Sequence, residues 1–505
     1  MEVNLPIIFT AVVGLLIIYY YVIEKRFSKY GIPYQHPLIS FYYTILVTLK
    51  KFSFILNMHQ LYYIDEKAKY VGAYDLYRPM VLIRDPELIK DVTVKHFENF
   101  VDRRVFIDVD ADPLFGGNLS ALGGDRWREV RNLLSPTFTS SKMKTMYKLM
   151  SQCAETFTDS LIKQSAKQTD FNSKDIFSYY TNDTIATCAF GVSVDSMKDP
   201  DNEFYRFGRK ATNFESFSMF KLLIYQLSPK LYKLLKLEII PKDVERFFYQ
   251  LIRDTIAMRD EKGIVRPDML QLMMETRHNK PGSKKPELTV ANMTSHAFIF
   301  FFAGFELISN LLCWAVHEIA SSSEIQKRLQ EEIDDVYQRC DGEPTYEAIN
   351  SMKYLDAIID EVLRLYPISV MTDRMCTKEY ELPPALPGSK PFVLRKGDSI
   401  MIPIWGLHKD PNYFPEPDKF SPDRFLDENQ QNINSLTYIP FSVGPRMCIG
   451  NRFALLESKV LLVHLFRTCN VEPSEKMILP AQIDWTSMNL MVKGGFWIKV
   501  QPRQF

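Results

Sequence analysis

An excess of charge of either sign is missing from this 505-residue sequence: 61 Lys and Arg stand against 61 Asp and Glu. A chain without a basic surplus carries no electrostatic footprint for a nucleic acid. Cysteine-pairing signals are missing too. Seven cysteines, at 153, 188, 313, 340, 376, 448 and 469, lie scattered without CxxC spacing. That is the usage of a reducing compartment, and it argues against a disulfide framework or a zinc site. Histidine is scarce at eight residues, and none stands at ligand spacing from a cysteine. What is abundant is apolar material, 46% hydrophobic with 13% aromatic, enough to fill the core of one large domain.

Leu5 to Ile23 is an uncharged run of 19 residues, about the length that crosses a hydrocarbon core as a helix. The residues before it carry Glu2 and no Lys or Arg, unlike the n-region of a cleaved signal. Glu24, Lys25, Arg26 and Lys29 follow it. The expectation is a retained single-pass anchor with the amino terminus luminal and the rest cytosolic. Gly31, Pro33 and Pro37 read as a short hinge. The expected division is therefore 1–26 anchor, 27–40 hinge and 41–505 catalytic domain.

Along the body, 69–85 reads as two strands joined near Arg78-Pro79, with Pro86-Glu87 opening a helix. GDRWREVRNLL is a helix whose Trp127 and Arg131, four apart, share a face. From Lys142 to Glu261 apolar residues recur at helical spacing, and Phe214 to Leu237 is an aromatic stripe. Thr289 is the expected N-cap of a helix running to about Ala320. In its middle Gly304 would allow close approach of a flat group, and a lone acid, Glu306, demands a partner or water. Glu361 and Arg364 lie side by side on a later helix. MNLMV and FWIKV, joined by Lys493-Gly-Gly, read as a terminal hairpin.

The densest pattern is Pro440 to Gly450, PFSVGPRMCIG. Gly444 and Gly450 let the backbone turn sharply and approach a flat partner, and the helix that follows points its positive end at Cys448, favouring a thiolate. A lone thiol is most often an ordinary half-buried residue. Phe441, Gly444, Arg446, Cys448 and Gly450 at these fixed spacings instead suit a haem-iron ligand.

This stretch resembles the cysteine loop of the cytochrome P450 family, the haem-thiolate monooxygenases, and the resemblance runs the length of the chain. It implies a mainly α fold with a smaller β-rich subdomain and an N-terminal transmembrane helix, holding haem b with Cys448 as axial ligand to the iron. It further implies that Trp127, Arg131, Arg374 and Arg446 hold the propionates and that Glu361, Arg364 and Arg424 brace the cysteine loop. Ala303, Gly304, Glu306 and Leu307 would form the distal catalytic wall. Phe106, Phe115, Phe298, Phe302, Ile368, Val370 and Met488 would line the substrate chamber. His408 would be structural or lie beside a propionate. NADPH–cytochrome P450 reductase and cytochrome b5 would deliver electrons at a basic face including Arg126, Arg128, Arg446 and Arg452, with the enzyme anchored in the endoplasmic reticulum membrane.

The texture is similar to insect members that oxidise lipophilic foreign compounds, plant alkaloids or insecticides; an endogenous hormone or fatty acid is the alternative substrate. One departure stands out. The family's pattern Ala/Gly-Gly-x-Asp/Glu-Thr has Leu307 at the threonine position, and Ser309 is turned roughly 200° away on a regular helix. That leaves open a proton route through water and substrate, a non-oxygenase isomerase or dehydratase, poor coupling, or a haem-binding sensor or carrier without turnover. It also raises the expectation that Glu306 attracts a protonated amine.

Overall fold

The computed structural model describes residues 25–76, 78–213, 216–266, 268–277, 288–487 and 489–504. The expected anchor run and Met488 lie outside these residues, as does most of the polar loop after Arg277.

Local sequence explains the amino-terminal β-rich side. β1 (Tyr70–Asp75) and β2 (Arg78–Ile83) are antiparallel, with Val71 opposite Leu82. Asp85 then caps the short helix Pro86–Lys90 by accepting the Leu88 amide. β4 (Thr372–Met375) and β7 (Ser399–Ile402), which flank the small pair β5 (Tyr380–Leu382) and β6 (Phe392–Leu394) in sequence, complete a four-stranded sheet of order β1-β2-β7-β4, in which β2 and β7 run parallel. The segment expected as a hinge is docked on this sheet rather than free. Phe27 is wholly buried against Tyr74 and Phe392, and the Gly72 amide and carbonyl bond to Pro33 and Gln35.

The helical body surrounds the central helix Val290–Ala320. Thr289 caps it in a reciprocal box with Asn292, satisfying donors that the first turn leaves open. By length and composition this helix would cross a membrane, yet most of its residues are packed inside the fold. Trp314 shows how firmly: its ring stacks 3.6 Å from Tyr366 and its Nε1 donates to the Leu490 carbonyl at 2.8 Å. Each large apolar side chain buried in this way contributes about 1.5–3 kcal/mol.

Two features depart from the sequence reading. The central helix is interrupted by a π-turn at Ala303–Leu307, which apolar periodicity does not signal. Among the described residues the terminal hairpin is not formed: residues 489–492 contribute the bridge between Val492 and Ile483. FWIKV lies in β9 (Trp497–Pro502), which pairs with β3 (Asp170–Asn172) and β8 (Cys469–Pro473). Alternation specifies a strand, not its partner.

Candidate haem-thiolate site

The helix Asn451–Thr468 packs along Ser140–Ser165 and carries the cysteine loop at its head. Gly444 has φ +77°, and a Cβ there would lie 2.2 Å from the Thr93 carbonyl oxygen, so only glycine fits. Gly450 has no such demand; a Cβ would meet only Phe138, at 3.7 Å. The Cys448 amide donates to the Phe441 carbonyl at 3.0 Å, and Met447 to Gly444 at 2.9 Å. The Cys448 thiol is accessible but closely flanked by protein. Desolvation pushes its pKa up, opposed by the Gly450 amide, Arg103 and Arg131.

Arg103 and Arg131 act on that thiol, and Arg103 in turn acts on Arg374 and Arg446. Arg374, on β4, donates to the Asp373 and Val443 carbonyls. Arg446 donates to the Val101 and Leu122 carbonyls and lies 3.9 Å over the Trp127 ring. Arg103 donates to the Arg446 carbonyl. Arg131 forms no hydrogen bond or ion pair with another described side chain. Burial, with Arg103 adding to it, pulls Arg374 and Arg446 down to about 9. Buried cations repelling one another, with Nε of Arg103 and Arg374 unpartnered, call for an anion. A flat macrocycle bearing two carboxylates fits that need, and these residues could hold it.

Arg446 is 4% exposed. It is therefore an interior residue of the loop and not part of an electron-donor face, a correction to the expectation. Arg126 and Arg128 do lie at the surface, paired with Glu129, Glu98 and Asp125, and Arg452 is exposed. Sequence reasoning missed Arg103, a common residue type in an irregular loop.

Glu361, Arg364 and Arg424 come together behind the loop. Arg364 grips Glu361 through Nε and Nη2 at 2.7 and 2.9 Å, both side chains fully buried, and Arg424 approaches the same carboxylate at 3.5 Å. Arg364 also donates to the carbonyls of His408, Pro417 and Lys419, pinning the Pro/aromatic-rich segment that precedes the cysteine. His408 accepts the Ile439 amide and stacks on Tyr438. These contacts give it a structural role in the segment before the cysteine.

On the central helix, Phe302 and, along the π-turn, Ala303, Glu306 and Leu307 are half-buried while Gly304 and Phe305 are buried. The turn frees carbonyls: Thr181 Oγ1 donates to Phe305 O at 3.0 Å and Ser309 Oγ to Glu306 O at 3.0 Å. Gly304 serves a different contact from the one expected. Its bare Cα faces helix Ser173–Ile185, where a Cβ would lie 2.8 Å from Ile185 Cδ1. Glu306 is not a free charge either. Lys174 Nζ stands 3.1 Å from it, and Asn310 and Asn489 each donate to Oε1 at 3.4 Å. A carboxylate already neutralised gives no basis for attracting an amine, so that expectation is withdrawn.

The chamber aromatics divide. Phe115 meets Phe298 and Phe302 edge-on at 5.6 and 5.5 Å, and Ile368 and Val370 are half-buried against the same core. Phe298 is fully buried, also touching Phe248. Phe106 is not with them: it is 46% exposed beneath the Arg104 guanidinium.

A mainly helical fold with one exposed cysteine on a glycine-turned loop, Arg103 and Arg131 acting on its thiol and Arg374 and Arg446 buried beside Arg103, is the setting of a haem-thiolate protein. A family model described as Cytochrome P450 matches residues 38–499. Cytochrome P450 9e2 of Blattella germanica is 43% identical over 483 residues, covering 90% of each chain. Probable cytochrome P450 9f2 of Drosophila melanogaster is 38% identical over 492 residues, covering 94% of this chain and 95% of the relative. Cytochrome P450 6k1 of Blattella germanica is 34% identical over 495 residues, covering 95% and 93%. The chain belongs to the cytochrome P450 family and is a haem-thiolate monooxygenase, an oxidoreductase. Membership implies haem b held by a cysteine thiolate.

Proposed function

We propose that this monooxygenase inserts one oxygen atom from dioxygen into lipophilic foreign compounds, with electrons from NADPH through a membrane-bound reductase. Haem, when bound, supplies the activation of dioxygen; the protein supplies everything that places and protonates. Cys448 would hold the haem iron through its thiolate, and Arg103, Trp127, Arg131, Arg374 and Arg446 would hold the propionates, while Glu361, Arg364 and Arg424 keep the cysteine loop in register. Phe115, Phe302, Leu307, Ile368 and Val370 exclude water around an apolar substrate. Lys174 and Glu306, paired at 3.1 Å, stand at the edge of that wall.

The observation that carries the lipophilic reading is a continuous apolar approach. Helices Pro37–Thr48 and Ser216–Leu227 pack together and leave Leu38, Phe41, Tyr42, Phe220 and Leu227 exposed, beside Leu231 and Leu234. Such a patch suits the surface of a bilayer. It agrees with residues 1–26 as an endoplasmic reticulum anchor, 27–40 as a connection docked on the body, and 41–505 as a cytosolic catalytic domain. Arg126, Arg128 and Arg452 are the proposed reductase face; surface ion pairs of the kind Arg126 and Arg128 make are weak enough to exchange for a partner's acids.

Leu307 favours a second reading, a rearrangement without NADPH. One experiment separates the two: turnover of lipophilic amines and neutral compounds in reductase-containing membranes, with and without NADPH, under labelled dioxygen. Label in product only with NADPH supports the monooxygenation of these substrates. Product that forms without NADPH or label replaces it with an isomerase.

A further inference from the structure

Glu457 is wholly buried on the helix Asn451–Thr468, which carries the cysteine loop, and the binding of haem gives it no task. It sits about 9 Å along the helix axis from Asn451. Both carboxyl oxygens are buried without a hydrogen-bond partner among the described residues. The basic groups on the same helix are engaged elsewhere: Lys459 pairs with Asp356, and His464 bonds to Ser151 at 2.9 Å. An isolated carboxylate is too costly to hold in such a place, so the side chain keeps its proton.

The groups around it come from three other stretches. Helix Ser140–Ser165 brings Cys153, helix Ser173–Ile185 brings Tyr180 and Thr184, and the π-turn Ala186–Phe190 brings Thr187 and Cys188. The Glu457 carboxyl acts on Tyr180, Cys153 and Cys188 alike, and the Thr184 and Thr187 hydroxyls lie against Cys153. Tyr180 Oη is already committed to the Glu457 main-chain carbonyl at 3.1 Å, and Thr187 Oγ1 to the Val192 carbonyl at 3.1 Å. Thr184 Oγ1 is buried and unpartnered, as the carboxyl is. Charged groups lie further out. Asp183 acts on Cys153, but its oxygens take the Ser196 amide and hydroxyl. Arg266 and Asp268 act on Cys188, and Arg266 donates to the Gly191 and Thr187 carbonyls. Polar groups this near, yet out of one another's hydrogen-bond reach, are the setting that a bridging water suits.

We propose that Glu457 is a neutral acid that binds internal water, shared with the Thr184 hydroxyl and the Cys153 thiol, at the joint between the cysteine-bearing helix and helix Ser173–Ile185. Water meets the need of each orphaned group: it accepts from the carboxyl O–H, donates to the carboxyl C=O, and keeps a bond for Thr184. The joint matters because helix Ser173–Ile185 also props the central helix, through Lys174 on Glu306 and Thr181 on the Phe305 carbonyl. The water thus ties the helix that presents the thiol to the one that supports the π-turn. Neutrality matters too, because a carboxylate here would place a second negative charge on the helix that carries the thiolate.

The test is infrared spectroscopy of the haem-loaded full chain, taken as the difference between wild type and Glu457→Gln, so that the bands of other buried acids cancel. Glutamine keeps the shape and is itself neutral, and the carbon monoxide spectrum confirms that the variant retains thiolate-bound haem. The difference should contain one carbonyl band of a protonated carboxyl, shifted in deuterium oxide and constant in size from about pH 6 to about pH 9, well above the usual carboxylate range. A carboxylate band in its place, or a carbonyl band that fades within that interval, would overturn the neutral acid. The same difference should carry a water O–H stretch that moves in oxygen-18 water; a carboxyl band without it would overturn the hydrated site. Thr184→Val offers a second route that leaves Glu457 in place. It should move the carboxyl band toward the position of an unbonded acid, and an unmoved band would remove Thr184 from the site and overturn the sharing. The haem midpoint potential supplies a readout independent of the bands: it should be equal in wild type and Glu457→Gln, whereas a higher potential in the variant would reveal a lost negative charge and overturn the proposal.

Discussion

Lys174, at the start of helix Ser173–Ile185, and Glu306, on the π-turn of the central helix, form an ion pair of 3.1 Å. The same ammonium donates to Ser309 Oγ and Asn310 Oδ1, each at 2.7 Å. The hydroxyl that the sequence sets out of place beside Leu307 is thus tied to the acid through a lysine from another helix, rather than through its own helical face.

Replacing Lys174 by Met should strand the Glu306 charge. With the two side chains 21% and 17% exposed, the cost should be about 1–3 kcal/mol, below that of breaking a fully buried pair. The double variant Lys174→Met/Glu306→Gln should recover part of it, since no charge is then left alone. Thermal unfolding of the haem-loaded proteins measures the cycle. Strict additivity of the two substitutions would mean the pair is not coupled. Product formed per NADPH consumed should fall in Lys174→Met and return partly in Lys174→Arg.

Thr181 supports the same turn from below. Thr181→Val keeps the shape but removes the donor to the Phe305 carbonyl, leaving a buried acceptor unsatisfied at about 1–3 kcal/mol. Urea unfolding should show that loss, and the ferric haem spectrum should change because the half-buried face of the turn shifts. A variant as stable as wild type would mean that water replaces the hydroxyl.

Much of the site was legible because short spacing carries it. The cysteine loop, Trp127 with Arg131, and Glu361 with Arg364 each lie within one turn or one loop, where sequence distance fixes spatial distance. Lys174, Thr181 and Arg103 were not legible: they are ordinary residue types delivered by distant segments, and only packing brings them in. The π-turn escaped because a one-residue insertion in the helical ladder barely alters apolar periodicity. The terminal hairpin was misread for the corresponding reason in strands, since Trp497–Pro502 finds its partners more than twenty residues away.

Arg103 should matter for retention of the cofactor more than for folding. Its Nε is buried without a partner, and its charge disfavours those of Arg374 and Arg446. Arg103→Ala should therefore leave the cofactor-free protein no less stable while speeding haem transfer to an acceptor globin by about tenfold, the worth of one charge-assisted hydrogen bond. Arg126→Ala, at the surface, serves as the control. Equal transfer rates in the two variants would remove Arg103 from the propionate set.

Arg364 admits no conservative substitute. A lysine keeps the charge but loses the planar fork that serves Glu361 and three carbonyls at once. Arg364→Lys should cost about 3–5 kcal/mol, as expected when a fully buried pair loses its geometry. The measurement is the yield of protein giving a thiolate-type carbon monoxide spectrum; wild-type yield and melting temperature would show that the carbonyls are held by something else.

His317 supplies a pH term of known sign. It is buried on the central helix between Trp314 and Phe496, with both ring nitrogens unpartnered, and burial holds it down to about 4. In the unfolded chain the ring takes its proton near 6.5. Between those values the unfolded state binds the extra proton, so this residue removes stability as pH falls through that window. Asp183 runs the other way: burial raises it to about 7, so its contribution is present in acid and lost as pH rises through that value. Replacing His317 by Phe deletes only the first term and breaks no hydrogen bond. On acidification from about pH 7 to about pH 5 the variant should lose about 2 kcal/mol less stability than wild type, with the Asp183 term cancelling in the difference. Urea unfolding at the two pH values checks this, and parallel losses in both proteins would mean that the ring is already protonated in the fold.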